Sequence, residues 1–147
     1  AALGFGVLGG MSEELSMFYP YSRTLVEDVI TGKRWLFFIH LSLYGLFYYI
    51  PWEFFFRGFL MLLFLEHFKE ALKDNKALLA VIIAFQTIPS TLLHFGHPLT
   101  ELISAIPAGL IFGWLVYKTR SIFPAFLLHF AVGLATDGTI ILRQGGF

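Results

Sequence analysis

The sequence predicts an all-α, polytopic helical membrane protein with about five transmembrane helices. Three observations predict it. The 147 residues are 57% hydrophobic and only 14% charged, whereas a soluble domain carries about a quarter charged residues. Apolar and aromatic runs, sharing eighteen Phe, recur at lengths suited to a hydrocarbon core about 30 Å thick. The charges that do occur gather between those runs. Formal net charge is zero, so no global field points to nucleic acid. Cysteine is absent, which excludes disulfides, thiolate metal sites and a cysteine nucleophile.

Two parts organise the chain: an N-terminal segment, 1–33, and a transmembrane domain, 34–147. The opening AALGFGVLGGM is too short to span a bilayer and fits the tail of a truncated helix or of a processed segment. Ser12 with Glu13 and Glu14 marks a helix start, and Tyr19-Pro20-Tyr21 breaks that helix. Arg23 to Ile30 is either a short amphipathic helix on the membrane surface or a plain connector.

Trp35 to Ile50 is the first spanning segment, apolar apart from His40 and Ser42, and Pro51 closes it. Trp52 to Phe68 is the second, opened by that proline, which suits a helix start. A polar loop covers Glu66 to Lys76. Ala77 to Ile88 begins the third segment, which Pro89 bends or ends. His94 to Glu101 is a short polar break. Leu102 to Tyr117 is the fourth, and its Ala105, Ala108, Gly109 and Gly113 let a neighbouring helix approach closely. Lys118 to Ser121 is a tight connection. Ile122 to Leu142 is the fifth, and Arg143-Gln144-Gly145-Gly146 follows it.

Basic residues are lopsided. With five spans, Arg23, Lys33, Arg34, Lys69, Lys73, Lys76, Lys118 and Arg120 share one side, eight of the ten Lys and Arg. The positive-inside rule makes that side cytoplasmic. Trp52, Glu53, His94, His97 and Glu101 then meet at the opposite face.

The run PWEFFFRGFL, Pro51 to Leu60, places Glu53 and Arg57 one helical turn apart among aromatic residues. Charges are costly in lipid, so such a pair marks a functional site by default. A self-neutralising pair that pins one helix to its neighbours is an equal alternative. His94 and His97, in LLHFGHP, are spaced for a metal or a shared carboxylate on one turn. His97, beside Pro98, fits a wet loop, and His94, flanked by apolar residues, is the stronger candidate. His129 lies deep in the fifth segment and needs a partner there. His40 and His67 fit interfacial or locally satisfied positions. No nucleophile elbow, phosphate loop or His-Glu-x-x-His motif occurs.

Taken in order, Trp52-Glu53-Phe54-Phe55-Phe56-Arg57-Gly58, the stretch ending at His94, and His129 resemble the CAAX protease and bacteriocin-processing (CPBP, or Abi) family of intramembrane proteases. Its motifs are Glu-Glu-x-x-x-Arg, usually followed by Gly; Phe-x-x-x-His; and His-x-x-x-Asn or Asp. The resemblance covers roughly Ile50 to Asp137. It implies a helical fold in which Glu and His converge in a membrane cavity and activate water for peptide cleavage. Glu53, Arg57, His94 and His129 are then the catalytic set.

Three positions depart from the pattern. Trp52 replaces the first Glu, the one usually assigned to activating water. Ser90 stands where motif two has Phe. Gly133 stands where motif three has the Asn or Asp expected to steady the oxyanion, and Asp137 is one turn further on. These departures predict weak or absent peptidase activity, with Glu53 and His94 activating water and His129 assisting in an active protein. Restoring Trp52→Glu with Gly133→Asn is expected to raise turnover. The loop argument sets Glu53 and His94 near one membrane face and His129 nearer the other, so convergence requires Pro89 to Pro98 to dip inward.

The rival reading is a non-catalytic accessory or scaffold subunit of a larger membrane complex, its aromatic surface turned to protein, lipid or pigment. His129 or His40 would then ligate a chlorophyll-type magnesium. A transporter has little support without an inverted repeat. No cofactor is fixed: two or three His with Glu53 would admit a divalent metal, and pigment belongs only to the accessory reading. The expected partners are the lipid bilayer and either other membrane subunits or a membrane-proximal peptide. The expected location is a bacterial plasma (inner) membrane.

Overall fold

The structure, a computed structural model, describes residues 2–20 and 22–145. Tyr21 and Gly146, named above, lie outside them. Among the described residues there are seven helices and no strand: α1 Ala2–Gly10, α2 Glu13–Phe18, α3 Arg23–Ile30, α4 Trp35–His67, α5 Lys76–Leu92, α6 Leu99–Thr119 and α7 Phe123–Arg143. They divide into two compact units, Ala1–Tyr49 with Leu127–Phe147, and Ile50–Phe126.

In the first unit the helix start expected at Ser12 is present, and Ser22 caps the next helix in the same way. The Ser12 hydroxyl accepts from Leu15 N at 3.4 Å, and the Ser22 hydroxyl from Leu25 N at 3.2 Å. Each satisfies one N–H that a helix start leaves open. Arg23–Ile30 is a helix rather than a connector, and it buries Val26 and Val29. Val29 joins Phe37, Leu41 and Ile141 in a core flanked by Leu25, Leu36, Phe130 and Leu134. The opening helix packs on α7 through glycine. A Cβ on Gly10 would lie 2.5 Å from Thr139 Cβ, and one on Gly6 would lie 2.7 Å from Ala135 Cβ. Thr136 Oγ1 donates to Gly6 O at 3.1 Å across this contact.

The first difference from the sequence reading is at Pro51. Trp35–His67 is one unbroken 33-residue helix, not two segments closed and opened by proline. Proline removes an N–H and collides with the carbonyl four residues back. The turn before it, Gly45–Tyr49, is π-wound, which moves that carbonyl aside and lets the helix continue. A second π stretch, Phe54–Leu62, follows. Without a hairpin at Pro51, the argument that joined Arg23, Lys33 and Arg34 to the side of Lys69 no longer holds.

In the second unit Leu62, Glu66, Lys69 and Arg120 line one cavity of about 450 Å³. The loops carrying Lys69 and Arg120 therefore do share one end. Pro89 does not end its helix, which runs on to Leu92. The expected close approach at the small residues of α6 is present. A Cβ on Gly109 would lie 2.7 Å from Thr87 Cγ2, and one on Gly113 would lie 2.8 Å from Gln86 Nε2. Gln86, fully buried, donates to Gly109 O at 2.9 Å and to Thr87 Oγ1 at 2.7 Å. A polar group that reaches a neighbour's carbonyl holds two membrane helices together.

Three helices are long and apolar enough to cross a membrane: Trp35–His67, Leu99–Thr119 and Phe123–Arg143, with Lys76–Leu92 a shorter apolar helix. Large apolar side chains point outward along them, Phe47 at 75% exposure and Phe38 at 64%. Outward apolar surface on this scale is what lipid covers. The chain is an all-α integral membrane protein.

Candidate functional site

In the second unit, Glu53 and Arg57 are an ion pair, Arg57 Nε to Glu53 Oε2 at 3.3 Å, with side chains 0% and 3% exposed. The atoms are close but not aligned as a hydrogen bond. The guanidinium also lies 5.4 Å from the Phe112 ring centroid and 5.9 Å from that of Phe56, within cation–π reach. The aromatic run thus surrounds a desolvated cation whose counter-charge comes from one turn earlier.

His94 sits in the turn that follows α5. Its Nδ1 is 2.7 Å from the Ser90 carbonyl. A carbonyl only accepts, so Nδ1 carries the hydrogen. Ser90, where motif two has Phe, is buried, and its own hydroxyl donates to Thr87 O at 2.9 Å. The backbone of residue 90, not its side chain, therefore holds the imidazole. The other nitrogen, Nε2, is 3.7 Å from Glu101 Oε1. His97 Nδ1 is 3.1 Å from that same oxygen. The ring of Trp52 meets His94 edge-on at 5.5 Å and packs on Phe56 at 4.8 Å.

His129 belongs to the first unit, where its ring lies 4.8 Å from that of Tyr49. Beside it, the space at Gly133 is filled: a Cβ there would fall on the Tyr49 hydroxyl, with Tyr49 Cζ 2.7 Å away. Asp137 is 3.1 Å from His40 Nε2. His40 is thus locally satisfied, and Asp137 is engaged by it.

The structure brings Glu53 to Arg57, and His94 to Trp52, His97 and Glu101. His129 is grouped with Tyr49 and Gly133. Sequence reasoning placed Glu101 on the same face as His94 but gave it no role. The signal was there, since Glu101 follows His97 by four residues, the spacing of facing side chains on a helical turn. Tyr49 carried no signal, being one aromatic in an aromatic run. Among the described residues, no group of three or more His, Asp or Glu side chains is arranged to hold a metal ion.

A buried ion pair and neighbouring imidazoles in the second unit, on apolar helices, define a helical membrane protein with a polar site among its helices. The sequence model of the family described as type II CAAX prenyl endopeptidase Rce1-like matches residues 34–135. That match spans more than half of the chain, and the chain belongs to this family, in agreement with the CPBP resemblance. No curated protein and no solved structure matches the chain.

Proposed function

We propose that this chain is a slow intramembrane peptidase of a bacterial plasma membrane, acting on a membrane-proximal peptide. The observation that carries the reading is His94: one nitrogen is fixed by the Ser90 carbonyl, and the other faces a carboxylate. A histidine in a set tautomer, with its second nitrogen turned toward an acidic neighbour, is equipped to take part in proton transfer from water. Glu53, paired with Arg57, serves as the pinned carboxylate of motif one, and His129 is the histidine of motif three. The low rate follows from Trp52 and Gly133, which offer neither a base nor a side-chain donor. Loss of one oxyanion donor alone costs about 100-fold or more. The test is cleavage of an internally quenched peptide with an apolar tail by the purified chain in lipid. Turnover that His94→Ala abolishes supports the reading, and absence of turnover overturns it.

A scaffold reading draws on one observation of its own, the Trp52 ring packed against His94, which fills the place of the missing glutamate. Copurification in a stoichiometric complex, with no peptide cleavage, favours it. Under that reading His40 is the less suited pigment ligand of the two histidines, its Nε2 facing Asp137.

A further inference from the structure

We infer that Glu101 is the carboxylate that takes the proton from the attacking water, in place of the glutamate absent at position 52. The inference rests on the peptidase reading above and names the base of that reaction.

Position 52 faces His94. The Trp52 ring lies edge-on to the imidazole at 5.5 Å, so a side chain from this position reaches the histidine, and here it is an indole that accepts no proton. The acid arrives instead from the first turn of α6, where Glu101 stands three residues beyond Pro98. Its Oε1 is held by His97 Nδ1 at 3.1 Å and lies 3.7 Å from His94 Nε2. It is not sealed in. The Glu101 side chain is 19% exposed and that of His94 is 12% exposed, whereas Glu53 is 0% exposed. Of the two carboxylates, Glu101 is the one whose side chain keeps some exposure, with its Oε2 buried.

The 3.7 Å gap has chemical meaning. With the hydrogen of neutral His94 on Nδ1, Nε2 and Glu101 Oε1 are two acceptors facing each other. At 3.7 Å the two atoms are too far apart for a direct hydrogen bond, and a water lying beside both would bridge them. A water oxygen about 2.8 Å from both atoms closes a triangle on this edge and gives each acceptor one hydrogen. That is the posture of a nucleophile about to lose a proton. In the reaction, the water O–H bond breaks toward Glu101 Oε1 as the oxygen bonds to the scissile carbonyl carbon. The carbonyl π pair moves to its oxygen. The oxyanion pair then re-forms the carbonyl as the C–N bond breaks, and the proton held by Glu101 passes to the departing nitrogen, leaving a carboxylic acid and an amine. The acid's proton then moves to the amine, giving a carboxylate and an ammonium.

His97 fixes Glu101, and the Ser90 carbonyl fixes His94. The pairing of two imidazoles on one carboxylate also explains why the turn from His94 to Glu101 is so rich in ionisable groups.

The experiment uses the full chain in lipid vesicles, with the quenched, tailed peptide as probe. Glu101→Gln keeps shape and hydrogen bonding and removes the base. It is expected to lower kcat about 100-fold or more, the usual contribution of a general base, with KM changed less than about twofold. Glu101→Asp is expected to recover part of the loss, and Trp52→Glu placed in the Glu101→Gln chain is expected to restore turnover through the original position. Thermal unfolding of each variant checks that it folds. If Glu101→Gln turns over like the unmodified chain, Glu101 is not the base while the peptidase reading stands. If the loss is instead in KM, or Trp52→Glu fails to restore turnover in a folded chain, the assignment is overturned. If the unmodified chain itself does not turn over, the peptidase reading fails and this inference with it.

Discussion

The hydroxyl of Tyr49 occupies the space in which a side chain at Gly133 would stand. Tyr49 is buried and held by rings on several sides, Tyr44 at 5.9 Å, Phe130 at 5.8 Å and His129 at 4.8 Å. The glycine is therefore a packing solution and not simply a lost functional group. It corrects the expectation that Gly133→Asn would help to restore activity, because the asparagine has no room unless the tyrosine gives way.

Gly133→Asn alone is expected to destabilise the protein by about 1–3 kcal/mol, the range for overpacking. In a Tyr49→Ala background the same change is expected to cost much less. Thermal unfolding of the four chains of this cycle checks it, and additive losses would show that the two residues do not compete for space.

The buried pair makes a second prediction. Arg57→Ala leaves the Glu53 carboxylate without its counter-charge and is expected to cost about 3–5 kcal/mol. Arg57→Ala with Glu53→Gln is expected to cost less than Arg57→Ala alone. A double-mutant cycle in detergent measures the coupling, and a coupling near zero would mean that the 3.3 Å approach contributes nothing.

Much of this was legible in the chain. The helical class and membrane setting follow from composition, and the start of Glu13–Phe18 follows from Ser12. The Glu53–Arg57 pair follows from helical spacing alone. What was not legible depends on backbone detail. Pro51 ends a helix on local grounds, yet π winding over Gly45–Tyr49 absorbs it, and no residue pattern announces that winding. Pro89, read as bending or ending its segment, does not end it, because the helix runs on to Leu92. The packing of Gly6 and Gly10 on α7 was available as a Gly-x-x-x-Gly pattern, the same small-residue spacing that did reveal Gly109 and Gly113. The role of Tyr49 depends on a residue some eighty positions away and could come only from the fold.

Topology offers a third prediction. Lys73 and Thr100 flank α5, a 17-residue helix that rises about 26 Å, close to the thickness of a bilayer core. Single cysteines at these two exposed positions are expected to label from opposite sides, with Lys73 cytoplasmic. Pro98 is buried, so Thr100 is the better reporter. Labelling of both from one side would mean that α5 does not cross.

His94 is the residue on which the proposed peptidase chemistry turns. The most direct measurement is the turnover of the tailed, quenched peptide by the unmodified chain and by His94→Ala, both reconstituted in lipid and both confirmed as folded. Slow cleavage by the unmodified chain, lost by about 100-fold or more in His94→Ala, is the predicted result. Cleavage that survives His94→Ala, or no cleavage by the unmodified chain, would contradict it.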